Sequence, residues 1–343
     1  MVLLVVLFFA LLLTSSVATF VRRSTVDTMI ARNIDATAEA DALAFGGFVI
    51  GTALLAEDLL QDLSGAAPPS ESYLDVWSQV SGVPLISPSG TTLQLRIEDA
   101  GARLNLNALF TMNEGGTWVV REETPEFLRQ VLEKVIDELQ VAPGQKVYDP
   151  RELAAALIDF VDGDDATANG SPEDDYYQRL DPPYRALNRP LLSVDELLLV
   201  EGFDGVLVDA LRPYVTVYPF AAVDCGKQGK GCGVNLNTAP PHVLALLWFD
   251  DGVEHRLADE DTVRRILRVR SEGGLWCGEG PSREGCTPIS EIVPNPIFPP
   301  PTYATQVFAV SAEARVGEVR RTRVAVMYRS ASSLPVLLSW KIR

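Results

Sequence analysis

Seven carboxylates, Asp159, Asp162, Asp164, Asp165, Glu173, Asp174 and Asp175, crowd the run LIDFVDGDDATANGSPEDDYY at residues 157–177. Gly, Asn and Ser interrupt them, so the segment can turn backbone carbonyls inward as well as side chains. Calcium takes about six to eight hard oxygens, carboxylates and carbonyls together, and such a loop supplies both. Counted as an EF-hand from Asp162, Asp164 is third and Glu173 twelfth, but Ala166 and Thr167 stand where a ligand and a glycine are required. The run is therefore no EF-hand. Two readings stay open on these residues alone: a calcium loop, and a solvated acidic loop whose carboxylates cap helices.

The four cysteines form two close pairs, Cys225/Cys232 and Cys277/Cys286, each enclosing a short Gly-containing loop. In an oxidising compartment, two local disulfides are the preferred reading among the three connectivities that four cysteines allow. Zinc fits less well, because the spacings are not CxxC and neither His242 nor His255 stands in a ligand pattern beside them. With only two histidines and no GxxxxGK[ST], HExxH or GxSxG, the sequence gives no support to an enzyme.

VNLNTAPPHVLALLWFDDG, at residues 234–252, is similar to the opening of helix-hairpin-helix modules, which grip DNA backbones through turn amides. A membrane-anchored DNA-binding or uptake protein is therefore the alternative function. Against it, Asp250-Asp251 occupies the turn where a Lys or Arg is needed. The net charge is −17, and almost all of the acidic excess lies between residues 108 and 302. Such a surface repels phosphate, so no nucleic acid is expected as a partner, whereas divalent cations are favoured.

The elements that must position these groups are legible in outline. A chain of 343 residues with 47% apolar residues is long and apolar enough for two folded units, or for one unit with a large insertion. Residues 1–21 carry no charge and are long enough to cross a bilayer as a helix. Ser16-Val17-Ala18 has the small-x-small form of a signal cleavage site, but no basic segment precedes the apolar run, and helical periodicity continues to about residue 63. A retained anchor is the favoured reading. Arg22-Arg23 lies on the side that export places outside, against the positive-inside tendency. The proline pair after residue 66 ends the helix.

TTLQLRIED at residues 91–99 alternates as a half-buried strand, and residues 102–107, ARLNLN, are expected to return as its hairpin partner. QVFAVSAEARV and EVRRTRVAVMY form a second alternating pair around Gly317. Both hairpins can share one antiparallel sheet on the soluble half of the long helix. The stretch between them reads as short capped helices, with Thr124 expected to cap TPEFLRQVLEKVIDELQ.

Residues 157–203, from the Asp-rich loop through the acidic-Tyr pair, Pro-Tyr, Asn-Arg-Pro and Glu-Leu before a glycine, resemble the middle of K-type minor pseudopilins of the bacterial type II, or general, secretion pathway. RLNLNAL upstream and VNLNTAP downstream extend the resemblance over nearly the whole chain. It implies an α+β fold: a pilin-like long N-terminal helix packed on an antiparallel sheet, interrupted by a large, mainly α-helical inserted domain. The corresponding divisions are an anchor at 1–23, a first pilin-like part at 24–107, the inserted domain at 108–302 and the last strands at 303–343.

The resemblance also implies calcium (Ca2+) in the inserted domain, with the seven carboxylates above as candidate ligands. It implies a structural subunit that caps the tip of the pseudopilus and helps nucleate it. The implied partners are the I-type and J-type minor pseudopilins, met through the N-terminal helix, together with secreted substrate proteins. The implied location is the inner membrane, crossed once, with the soluble part in the periplasm. K-type subunits lack the glutamate found near the start of other pilin helices, and residues 1–21 hold no acid. The family's basic leader and the glycine read by prepilin peptidase do not stand before Met1.

Overall fold

A computed structural model describes residues 2–64, 70–88, 90–139, 146–167, 170–219, 232–278, 286–329 and 335–342. The unbroken helical periodicity at the N-terminus becomes a single helix, α1 (Val2–Ser64), roughly 95 Å long at ~1.5 Å per residue. Residues 2–35 are exposed throughout. Burial starts only where small residues recur every three or four positions: Ala40, Ala44, Gly47, Gly51, then Leu55 and Asp58. That spacing puts them on one face.

A short helix, α2 (Val76–Val80), follows and buries Trp77. Strands β1 (Pro84–Ile86) and β2 (Thr92–Asp99) open the sheet. The chain then leaves it through β3 (Leu104–Asn105), β4 (Phe110–Met112), β5 (Trp118–Val120), α3 (Thr124–Glu138), α4 (Pro150–Val161), α5 (Asp174–Tyr177), α6 (Gly205–Leu211) and β6 (Val215–Thr216). It continues through α7 (Pro241–Leu244), β7 (Trp248–Asp250), β8 (His255–Leu257), α8 (Glu260–Ser271), β9 (Leu275–Cys277), β10 (Cys286–Pro288) and β11 (Ile297–Phe298). It returns as β12 (Val307–Val316), β13 (Val319–Tyr328) and β14 (Val336–Ile342).

The main sheet runs β1-β2-β12-β13-β14, with every pairing antiparallel. Alternation sets its inner face: Leu93, Leu95 and Ile97 of β2 meet Phe308, Val310, Ala312 and Ala314 of β12 under α1. The tight β12–β13 turn uses Gly317 at φ +57. The small residues of α1 let helix and sheet close together. A Cβ on Gly51 would lie 2.7 Å from Val310 Cγ1, and one on Gly47 2.9 Å from Ala312 Cβ. Gly51→Val is therefore expected to cost about 1–3 kcal/mol by overpacking. The reading is a lower denaturation midpoint at unchanged slope, and an unchanged midpoint would show that this seam carries no tight contact.

A second apolar core, sharing no residue with the first, is built by α3, α4, α6 and the short strands around them. Phe127 of α3 is fully buried and makes edge contacts with Phe298 and Trp248, which joins the two ends of the intervening stretch. Helices dominate, but β4–β5 and β7–β8 are antiparallel pairs and β9–β10 a parallel one.

Two local expectations are corrected. Residues 102–107 do not pair with β2, whose neighbours are β1 and β12; β3 instead runs parallel to β6. The cause is the buried Asp99 carboxylate, which accepts from Gly101 N at 2.6 Å and turns the chain through a 3-10 helix at Ala100–Ala102. Thr124 lies inside α3 rather than capping it, because its hydroxyl donates to the Leu109 carbonyl at 2.8 Å. Val194–Leu199 forms a 3-10 helix, with Ser193 accepting from Asp195 N.

Candidate functional site

The acidic run is folded by its ends. α4 stops at Asp162, whose N–H still reaches the Ile158 carbonyl at 2.9 Å. Gly163 donates to Trp118 O at 2.8 Å, and a Cβ there would strike Thr117 Cγ2 at 2.6 Å, so a side chain is excluded. The loop then doubles back. Ala166 bridges to Pro172, Thr167 N donates to Ser171 O at 2.9 Å, and Glu173 N donates to Asp165 O at 3.3 Å. This returns Glu173 to the end of α4, beside Asp162.

Asp162, Asp164 and Glu173 each offer a carboxylate oxygen, all within 4.8 Å of one another. Asp162 and Glu173 are only 8% and 5% exposed, yet Asp162 Oδ1 and both Glu173 oxygens have no hydrogen-bond partner among the described residues. Burial, then the charges of Asp164 and Asp159, pushes Asp162 up to about 7. Burial and the neighbouring carboxylates, Asp162 first, push Glu173 up to about 8. Unpaired buried carboxylates of this kind are costly and are normally compensated by a cation. The donor set, hard oxygens with two buried carboxylates, suits calcium. Asn188, at φ +46, adds a buried Oδ1 with no partner among the described residues, while its Nδ2 donates to Asp164 O at 2.9 Å.

The other four candidates are distributed differently. Asp159 is half-buried and Asp165 exposed; both act on Glu173 through their charge. Asp174 turns away, accepting from Ala186 N at 3.0 Å and lying 3.6 Å from Arg185. Asp175 is exposed. A second carboxylate group, Asp58, Asp62 and Glu71, surrounds the guanidinium of Arg329.

Cys277 and Cys286 are bridged, linking β9 to β10. Cys232 is also disulfide-bonded, and the expected pairing with Cys225 lies outside the described residues. Residues 234–252 do not form a helix-hairpin-helix unit. α7 ends at Leu244 and the acidic turn belongs to the β7–β8 hairpin, with Gly252 at φ +94.

The two Asn-Leu-Asn sequences have a role that sequence reasoning missed. Asn107 Nδ2 donates to Leu191 O and Val217 O at 2.9 and 2.8 Å, and its Oδ1 accepts from Leu191 N at 2.8 Å. Asn237 clasps Trp276 in the same way, through N at 2.7 Å and O at 3.1 Å. In each pair the first asparagine accepts from the second's N–H at 3.0 Å, an Asx turn. Asn235 and Thr238 also donate to Asp99 Oδ2, at 2.8 and 2.6 Å, and so tie the inserted stretch to β2. The repeat of Asn at i and i+2 was the available signal.

A long, partly free helix laid on an antiparallel sheet, with a helical unit spliced between its second and third strands, is the pilin-like arrangement that the sequence resemblance implies. Residues 102–220 match the family described as type II secretion system (T2SS), protein K. Type II secretion system protein K of Klebsiella pneumoniae is 28% identical over 273 residues, covering 79% of this chain and 74% of the relative. Its counterpart in Pseudomonas aeruginosa is 25% identical over 287 residues, covering 83% and 75%. A chain of the GspK-GspI-GspJ complex from the enterotoxigenic Escherichia coli type 2 secretion system has the same fold at a TM-score of 0.58 and 16% identity, with 91% of this chain and 99% of that one covered. The chain is thus similar to the protein K family, the K-type minor pseudopilins, along most of its length. Its helix α1 is long and apolar enough to cross a membrane.

Proposed function

We propose that this subunit caps the tip of the type II secretion pseudopilus, assembles there with I-type and J-type minor pseudopilins, and helps nucleate the filament that drives protein export across the outer membrane. It does no chemistry of its own, and calcium held by Asp162, Asp164 and Glu173 keeps its inserted region folded. The observation that carries the reading is the free half of α1. Residues 2–35 leave the sheet wholly exposed, and Met29, Ile30 and Ile34 are 64%, 52% and 61% exposed there, as a helix made to pack among other helices requires. Residues 1–21 hold no carboxylate to receive the terminal amine of a neighbouring subunit, which suits a position with nothing above it. A fold relative solved together with GspI and GspJ supports the choice of partners.

The test is co-expression of the full chain with the I-type and J-type subunits of its own secretion system, followed by extraction in mild detergent. The three are expected to purify together. Ile34→Glu, on the exposed face, should reduce recovery at least about tenfold, equivalent to ~1.4 kcal/mol of association. A full chain recovered free of both partners would reject the reading.

A further inference from the structure

Away from the acidic loop, three carboxylates and one guanidinium meet where α1 ends. Arg329, at the end of β13, is 3% exposed in its side chain and stacks 4.8 Å from the Phe308 ring centroid. Its Nη1 donates to Asp58 at 2.6 Å and to the Leu55 carbonyl at 3.4 Å, while its Nη2 contacts Glu71 closely and lies 3.7 Å from Asp62. Glu71, 1% exposed, also accepts from Trp77 Nε1 at 3.2 Å. Asp62 Oδ2 is buried with no hydrogen-bond partner among the described residues.

Oxygens of the three acids lie within 4.8 Å of one another. One guanidinium balances one carboxylate, so full ionisation would leave two uncompensated charges in a largely buried site. Asp75 faces Asp62, and Asp99 faces Glu71, so the surroundings add negative charge from both sides. The same residues are mechanical ties: Glu71 N donates to Tyr303 O at 3.0 Å, and Asn235 Nδ2 donates to Glu71 O at 3.3 Å.

We propose that the Asp58–Asp62–Glu71–Arg329 cluster keeps one proton at neutral pH, and that surrendering it unlatches the end of α1 from β13 and from the segment leading into the sheet. The proton belongs to the cluster as a coupled unit rather than to one residue. Asp62, which lacks a donor, is pushed by burial up to about 6; Glu71 is pushed by burial up to about 9 against the pull of Arg329. Folded-state values above the ordinary carboxylate range mean stability that is complete at acidic pH and is lost as pH rises through about 6 to 9.

The full chain in detergent is to be unfolded with guanidinium between pH 6 and 9, beside Asp62→Asn and Glu71→Gln. The parent's unfolding constant should rise by up to about tenfold per pH unit from this proton. Either amide should flatten the rise, because it supplies a neutral group permanently; the acidic loop is common to all three chains and cancels. Amide hydrogen exchange over residues 55–64, corrected for its intrinsic pH dependence, should accelerate toward pH 9 in the parent and less in the variants. Asp62 is 22% exposed in its side chain, so its amide does not depend on burial to fold. A parent with no loss between pH 6 and 9, equal slopes in all three chains, or both amides destabilised by one factor at every pH would overturn the proposal.

Discussion

In calcium, the full chain is expected to melt higher than in chelator, by an amount that grows with pH. At a free ion concentration about a hundredfold above the dissociation constant, the added stability is about 2.7 kcal/mol, a shift of a few degrees. The sign of the pH dependence follows from Asp162 and Glu173. Without an ion, their folded values stand at about 7 and about 8, above the unfolded carboxylate range. Their contribution to stability is therefore present at acidic pH and falls as pH rises through 7 and 8. With an ion, protons compete for the same oxygens, so binding strengthens over that window.

The two melting curves should thus lie close near pH 5 and separate toward pH 8. Asp162→Asn with Asp164→Asn should abolish most of the separation, and Glu173→Gln should raise stability in chelator while weakening the response to calcium. Melting curves that coincide in calcium and chelator at pH 8 would leave a solvated acidic loop as the better description. They would not touch the assembly role, which rests on α1.

The largest single loss is expected from Phe127→Ala. Phe127 is fully buried, and its ring meets Phe298 at 5.4 Å and Trp248 at 6.1 Å between centroids. Truncation removes the transfer energy of the ring and leaves a cavity that α3 cannot close, because Leu128 and Val131 beside it are themselves fully packed. The cost should be about 3–5 kcal/mol. Since Phe127 belongs to the inserted core and not to the one under α1, tryptophan emission from Trp248 and Trp276 should report the loss, while exchange protection of β12 and β13 changes less. A loss under about 1 kcal/mol would mean that the pocket collapses around the smaller side chain.

What could be read from the sequence was what repeats along it. The periodicity of residues 24–63 and the alternation of β12 and β13 each bury one face, so helix, hairpin and shared sheet were all legible. The carboxylates at 162, 164 and 173 stood out by composition, but nothing in the run said that Asp174 would be spent on Ala186 or that Asn188 would approach. Those outcomes depend on residues 186–188 crossing the end of α4, where Leu187 N and Asn188 N both donate to Phe160 O. The parallel pairing of Leu104–Asn105 with Val215–Thr216 spans more than a hundred residues and involves strands too short to show alternation. Arg329 and Glu71 likewise meet across the whole inserted stretch. An isolated charged residue in a sequence carries no sign that its partner is distant and that both are dry.

The late start of burial on α1 fixes a clearance. The uncharged run ends at Val21 and the first buried residue is Ala40. Of the residues between, 22–35 are wholly exposed, a bare stalk of roughly 21 Å. With α1 crossing a bilayer, the folded body is held off it by a strut whose length and facing are both set by residue count. Removing four residues would lower the body by ~6 Å and swing it by ~40°; removing seven would lower it by ~10 Å and leave it facing nearly the same way. Height above the membrane and direction around the helix axis are in this sense separate settings, written in the same short segment.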